Sequence, residues 1–221
     1  MVNLLGEDYQ LQIEWLGHAA FRVKTGSGRV IYLDPYQIKE GEEKADIIVS
    51  SHSHPDHFDS GSIKKLMKDG TVVLGPESIS SNLKKFDGQA IRLGDSFDYK
   101  DLSIELIPSY NIKKANHPKS SGWAGIIVSS GGKSVYHAGD TERIPEMKDL
   151  ADKNITVALL PCGGTYTMDF DEATDCAVDI KPKIAVPMHN WGKDMNEFKE
   201  LLNKKDPNIK VEILSDKSLK V

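Results

Sequence analysis

Short apolar runs rich in β-branched residues recur along the chain. Each is followed by a polar turn or by a stretch whose apolar positions fall three or four residues apart. Runs of the first kind read as strands and stretches of the second as helices. The pattern predicts strands over Leu11–Leu16, Ala20–Lys24, Val30–Asp34 and Ile47–Ser51, with Gly26-Ser27-Gly28 as a turn. A helix is expected over Ser60–Lys68, a strand over Thr71–Leu74, a helix over Ser78–Phe86 and a strand over Ala90–Leu93. Strands open the second half too, at Phe97–Tyr99 and Ser103–Pro108. Gly122–Val128 and Ser134–His137 then flank Ser129-Ser130-Gly131-Gly132, a hairpin signal. Helix Pro145–Asp152, strand Val157–Leu160, helix Asp171–Ile180, strand Ile184–Pro187, helix Met195–Leu202 and strand Val211–Leu214 complete the series. Strands lead and helices follow in each half, which predicts an α+β fold with two packed sheets and helices outside.

No linker, low-complexity tract or short repeat interrupts this order, so 221 residues are expected to form one domain, 1–221. No apolar run approaches the length of a membrane span, which excludes a helical anchor within these residues. Met1 to Asp8 lacks the basic and apolar segments of a secretion signal, leaving the cytoplasm as the expected compartment. Cys162 and Cys176 form neither a zinc-ribbon spacing nor a Cys-x-x-Cys pair and read as small buried hydrophobes. A formal net charge of −5 disfavours a broad grip on nucleic acid. Oligomeric state is not legible.

Chemistry concentrates in Ser51-His52-Ser53-His54-Pro55-Asp56-His57, where three of the seven histidines stand with an aspartate in the order His-x-His-x-Asp-His. Imidazole nitrogen and carboxylate oxygen both suit a borderline divalent cation. In an extended turn His52 and His54 point the same way and close on one ion, while Asp56 and His57 reach a second beside it. Further donors must come from elsewhere. His117, Asp140 and His189 each lie at the end of an expected strand or in a polar loop beside one, where the sheet holds a side chain open to a cleft. Five histidines and two aspartates suffice for two ions. Asp140, arriving alone from the opposite half, is the expected bridge.

Leu33-Asp34-Pro35, Ser51 to His57, His117, Ala138-Gly139-Asp140-Thr141 and His189 together resemble the metallo-β-lactamase superfamily, in the family's order and over nearly the whole chain. With Trp15-Leu16-Gly17-His18, the pattern is similar to the compact branch that includes ascorbate-6-phosphate lactonase and the N-acyl-phosphatidylethanolamine phospholipase D type. The resemblance implies a four-layer αββα sandwich of two similar halves, with the metals at one edge between the sheets. It assigns His52, His54 and His117 to one ion and Asp56, His57 and His189 to the other, with Asp140 bridging. It also makes Asp34 and His18 candidates for holding the ligands in place. Flavodiiron relatives carry Glu where this chain has His54, which disfavours diiron redox chemistry. Two-zinc β-lactamases use a cysteine ligand and lack the His57 equivalent, which disfavours antibiotic hydrolysis. The chain length leaves no room for the added domain of RNA-cleaving relatives.

The expected activity is therefore a dinuclear metal-dependent hydrolase, in which Asp56 orients a shared hydroxide that attacks a small ester, lactone or phosphorylated substrate. A phosphodiesterase or nuclease, and a metal-stabilised binding protein without turnover, remain the alternatives. Zinc suits the mixed donors; manganese, iron, nickel and cobalt also fit them. For the substrate, His137, Tyr166, Trp191 and Lys119 are candidate contacts. A strand histidine with a backbone partner is the other reading of His137. Lys113, Lys114 and Lys119 form a basic patch around His117 that would suit a phosphate, or a solvated loop. The turn Cys162-Gly163-Gly164-Thr165-Tyr166-Thr167 either presents backbone N–H groups to an anion or is simply tight.

Overall fold

The computed structural model describes residues 10–215 and 217–221. The N-terminal stretch read for a secretion signal lies outside them. The first half contributes strands β1 (Leu11–Gly17), β2 (Ala20–Thr25), β3 (Val30–Leu33), β4 (Ile47–Val49), β5 (Val72–Pro76) and β6 (Gln89–Ile91). The second contributes β7 (Ser96–Tyr99), β8 (Leu102–Pro108), β9 (Ala124–Ser130), β10 (Lys133–His137), β11 (Val157–Pro161), β12 (Ile184–Met188) and β13 (Lys210–Val211), with β14 (Ser218–Lys220) at the end. They form two seven-stranded sheets, ordered β14-β1-β2-β3-β4-β5-β6 and β13-β12-β11-β10-β9-β8-β7.

Each sheet runs antiparallel through one half and parallel through the other. The two halves match, except that β14 supplies from the C-terminal end the edge strand that β7 supplies in sequence. That strand carries a single apolar residue, Leu219, and the sequence pattern gave no sign of it. The expected strand Val211–Leu214 shrinks to Lys210–Val211.

The period of two in the strands sorts their side chains between cores. Ile31, Leu33, Val157 and Leu159 point into the layer shared by the two sheets. Their neighbours Val30 and Tyr32 face α1 (Ser60–Leu66) and α2 (Ser80–Leu83) on one outside. Ala158 and Leu160 face α3 (Phe170–Ile180) and α4 (Met195–Lys205) on the other. Four layers result, helices outside two sheets, as expected of an αββα sandwich. Two expected helices are wound more tightly. Pro145–Lys153 is a 3-10 helix whose buried Met147 and Leu150 stand three apart, the spacing that three residues per turn requires. Glu77 to Phe86 is broken into a 3-10 turn, α2 and a second 3-10 turn.

Candidate metal centre

The strands end at one edge of the sandwich and their loops converge there. Asp34 follows β3, the segment Ser51 to His57 follows β4, Asp140 follows β10 and His189 follows β12, while His18 turns β1 into β2. The two sheets are stitched together at this edge. Ala124 N donates to Ser51 O (3.0 Å), His189 N to His18 O (3.1 Å) and His137 Nε2 to Ala19 O (2.8 Å). Gly139, at φ +65°, makes the turn that delivers Asp140; a Cβ there would lie 2.9 Å from Ala124 O and 3.2 Å from the Ser51 Cβ. Backbone strain collects at the same place. Among the described residues, five of the ten non-glycine residues with positive φ are His18, Asp34, His117, His189 and Trp191.

Side chains from all these loops meet in two groups. Nitrogens of His52, His54 and His117 lie within 4.8 Å of one another, as do ligand atoms of His18, Asp56, His57 and His189. Asp140 stands between the groups. Its Oδ2 is 3.3 Å from His117 Nε2, and its Oδ1 is 3.4 Å from both His57 Nε2 and His189 Nε2. A third grouping, Asp34 with His52 and His57, is accounted for by hydrogen bonds. Asp34 is fully buried and accepts from Ser51 N (2.6 Å), Ser51 Oγ (2.6 Å) and His57 Nδ1 (2.7 Å). Because the Ser51 hydroxyl proton goes to Asp34, His52 Nδ1 at 2.9 Å must donate to Ser51 Oγ. His52 is thereby set with its Nε2 lone pair facing inward, and His57 is oriented with its Nε2 toward Asp140.

The donor set fits divalent cations. Buried His57 Nε2, His117 Nε2, His189 Nε2 and Asp140 Oδ1 have no hydrogen-bond partner among the described residues. Leaving one such group unpaired costs about 1–3 kcal/mol, so four converging at one place call for a common partner. The electrostatics agree. Burial opposes charge on His57, but Asp140 and Asp34 outweigh it and hold its pKa well above the ordinary value. Burial likewise resists ionisation of Asp140, yet His57, His117 and His189 hold it well below the carboxylate range. Burial lowers His52 strongly, with His57 adding to it, and lowers His54, with His117 adding to it. It takes His189 down to about 4. The hydrogen bond from His18 Nε2 (3.0 Å) brings Asp56 down to about 2. Neutral His52, His54 and His189 around ionised carboxylates suit a metal, while His57 would give up its extra proton when an ion enters.

The candidate substrate residues divide. Tyr166 and Trp191 are exposed and adjacent, with ring centroids 6.1 Å apart, and the Trp191 ring lies 5.6 Å from His189 and 5.7 Å from His18. His137 is completely buried, with Nε2 on Ala19 O and Nδ1 accepting from Gly139 N (3.1 Å). It is the strand histidine with backbone partners and cannot touch a substrate. Lys119, expected as a contact, lies over the Tyr110 ring and pairs instead with Glu146 (2.9 Å). Lys114 pairs with Glu142 (3.3 Å) and donates to Thr167 O (2.6 Å), so two of the three patch lysines are already neutralised. The glycine turn has a packing role. A Cβ on Gly163 would lie 2.3 Å from Trp191 Cδ1, and the Gly164 N–H is taken by Met168 O (2.9 Å). Cys162 and Cys176 are free and buried, and burial pushes the Cys162 thiol up to about 12, so it is an inert hydrophobe.

Sequence reasoning missed Trp123, whose ring lies 4.7 Å from His52, 4.8 Å from His54 and 5.3 Å from His117. In the sequence it reads only as an apolar position within the expected strand run Gly122–Val128. Asn111 was missed too. Its Nδ2 reaches His117 Nδ1 (3.3 Å) and donates to Tyr166 O (2.7 Å), tying a histidine to the aromatic rim.

The model of the beta-lactamase superfamily domain matches residues 12–189. A UPF0173 metal-dependent hydrolase of Nanoarchaeum equitans is 32% identical over 206 residues, covering 88% of this chain and 93% of its own. A crystal structure from Parabacteroides distasonis, whose name places it among metal-dependent hydrolases, superposes with a TM-score of 0.83 at 34% identity over 92% of both chains. Igni18, a metallo hydrolase of Ignicoccus hospitalis, gives 0.79 at 27% identity, covering 96% of this chain and 99% of its own.

Proposed function

This chain belongs to the β-lactamase superfamily, in its UPF0173-like branch, and we propose that it is a dinuclear metal-dependent hydrolase of a small ester, lactone or phosphorylated substrate. The observation that carries the reading is Asp140, one carboxylate with its two oxygens turned to two separate groups of histidines. His52, His54 and His117 are assigned to one ion, Asp56, His57 and His189 to the other, and Asp140 to both. Two divalent ions held by these residues, zinc by preference for these donors, would supply an acidified water and a Lewis acid for a carbonyl or phosphoryl oxygen.

The protein's own groups do the rest. Asp56, held ionised by His18, orients the nucleophile and takes its proton. Asp34 fixes the tautomer of His57 directly and that of His52 through Ser51, so neither imidazole spends time facing the wrong way. Trp123 covers one side of the first group. The likeness to the ascorbate-6-phosphate lactonase and phospholipase D types extends, in this proposal, to ester-like chemistry and not to a substrate. The two free, buried thiols suit the cytoplasm, where we place the protein, and one domain, 1–221, carries the activity. Among the described residues no helix is long and apolar enough to cross a membrane.

Metal content by mass spectrometry, run beside a panel of lactones, esters and bis(p-nitrophenyl) phosphate, tests the proposal. Near two ions per chain with turnover of esters or lactones is the expected result. Turnover confined to the phosphodiester would favour the nuclease reading. Failure to bind metal after reconstitution would sink both.

A further inference from the structure

Among the described residues, the large hydrophobic side chains standing exposed are Trp191 (58%), Tyr166 (41%) and Ile112 (57%). Ile112 borders a separate groove with Lys113, Glu142, Arg143 and Lys148. The other two form a pair beside the metal groups. Trp191 is held there at some cost. Its own backbone is left-handed (φ +51°), and the facing residue must be glycine, because a Cβ on Gly163 would strike the indole. Strain of this kind persists where the surrounding structure over-determines it, most often at ligand clamps. Tyr166 is fixed independently, its carbonyl held by Asn111.

From this arrangement we infer that the Tyr166–Trp191 pair is the substrate-binding platform of the site, and that it takes an uncharged substrate with a flat apolar acyl or aryl group. The inference rests on the hydrolase reading and narrows its substrate class. A ring stacked on Trp191 lies alongside His18 and His189, so an ester carbonyl one or two bonds away reaches the metal groups. Two of the lysines that would select a phosphorylated substrate are already ion-paired. Lys114 and Lys119 are paired with Glu142 and Glu146, and Lys193, two residues beyond Trp191, lies over the Phe170 ring at 5.7 Å. Against the indole face itself a phosphate would be desolvated without a hydrogen bond to offset the cost. A flat apolar group gains both buried area and ring stacking.

Methyl phenylacetate and methyl phosphonoacetate carry the same scissile ester and differ only in phenyl against phosphonate. With metal-loaded full-length protein, kcat/KM for the phenyl ester is expected to exceed that for the phosphonate by at least about tenfold. Trp191→Ala should erase most of that ratio through KM, and Trp191→Phe should restore it, which separates loss of the ring from misfolding. Quenching of tryptophan fluorescence by benzyl methyl ketone, an ester analogue that is not hydrolysed, should weaken in Trp191→Ala. Preference for the phosphonate, an equal effect of Trp191→Ala on both esters, or self-association of the wild type that Trp191→Ala abolishes would overturn the platform. Ketone binding that depends on Trp191, in a protein that hydrolyses neither ester, would leave the platform standing and remove the hydrolase reading instead.

Discussion

At Asp34 one buried carboxylate accepts three hydrogen bonds and so sets two histidines assigned to different ions. Asp34→Asn should therefore weaken both ions, by about 10–100-fold, the usual cost of losing such a partner. Ser51→Ala cuts only the arm to His52 and should weaken one ion selectively. Competition with a chromophoric chelator separates the two outcomes, and equal losses in both variants would refute the relay. Asp140→Ala removes the shared carboxylate and should leave fewer than one ion per chain by mass spectrometry, with hydrolysis abolished. His54→Ala, half-buried at the edge of the first group, should lose one ion and keep the other.

Among the elements, the turns after the strands matter more than the strands. β10 carries Tyr136 and His137 into fully buried positions, but it is the Ala138-Gly139-Asp140 turn that places a carboxylate between the histidines. Gly139→Ala must adopt a left-handed backbone and push against Ala124 O and Ser51. A loss of about 1–3 kcal/mol in urea denaturation is expected, together with reduced metal affinity. Its helical counterpart is milder. Asp169 caps α3 by accepting from Glu172 N (2.8 Å), and Asp169→Ala should cost about 1 kcal/mol without changing metal content.

For the molecule as a whole, the buried imidazoles couple stability to pH. His189 has a folded pKa of about 4, below the unfolded value of about 6.5, so the unfolded chain binds the extra proton between them. The contribution of His189 to the stability of the chelated protein should thus be complete above about pH 6.5 and fall as pH drops toward 4, with His52 and His54 adding in the same sense. His57 does not offset this, because its raised folded value makes its contribution constant below about pH 6.5 and lost only on the alkaline side. Urea midpoints at pH 7, 5.5 and 4.5 read the slope, and a flat profile would contradict the buried, neutral imidazoles. Restoring zinc at 100 times its dissociation constant should add about 2.7 kcal/mol per site at pH 7.

How much of this was written in the linear chain follows the range of the interactions involved. The period of two in the β-branched runs and the His-x-His-x-Asp-His order are local, so two packed sheets, short of the edge strand β14, and the first four candidate donors were legible in the sequence, as was the family they resemble. His117, Asp140 and His189 could be picked out only as donors at strand ends. Tertiary structure decided that they meet, because the sheets bring together loops that are distant along the chain. It also decided the fates that depend on neighbours from other elements. Asp34 became a shared anchor through Ser51, and His137 was consumed by Ala19 O and Gly139 N. Lys119 was drawn to Glu146, and Trp123 was packed against three histidines. Periodicity records which face a residue turns inward. What it meets there is settled by packing between segments that the sequence does not place side by side.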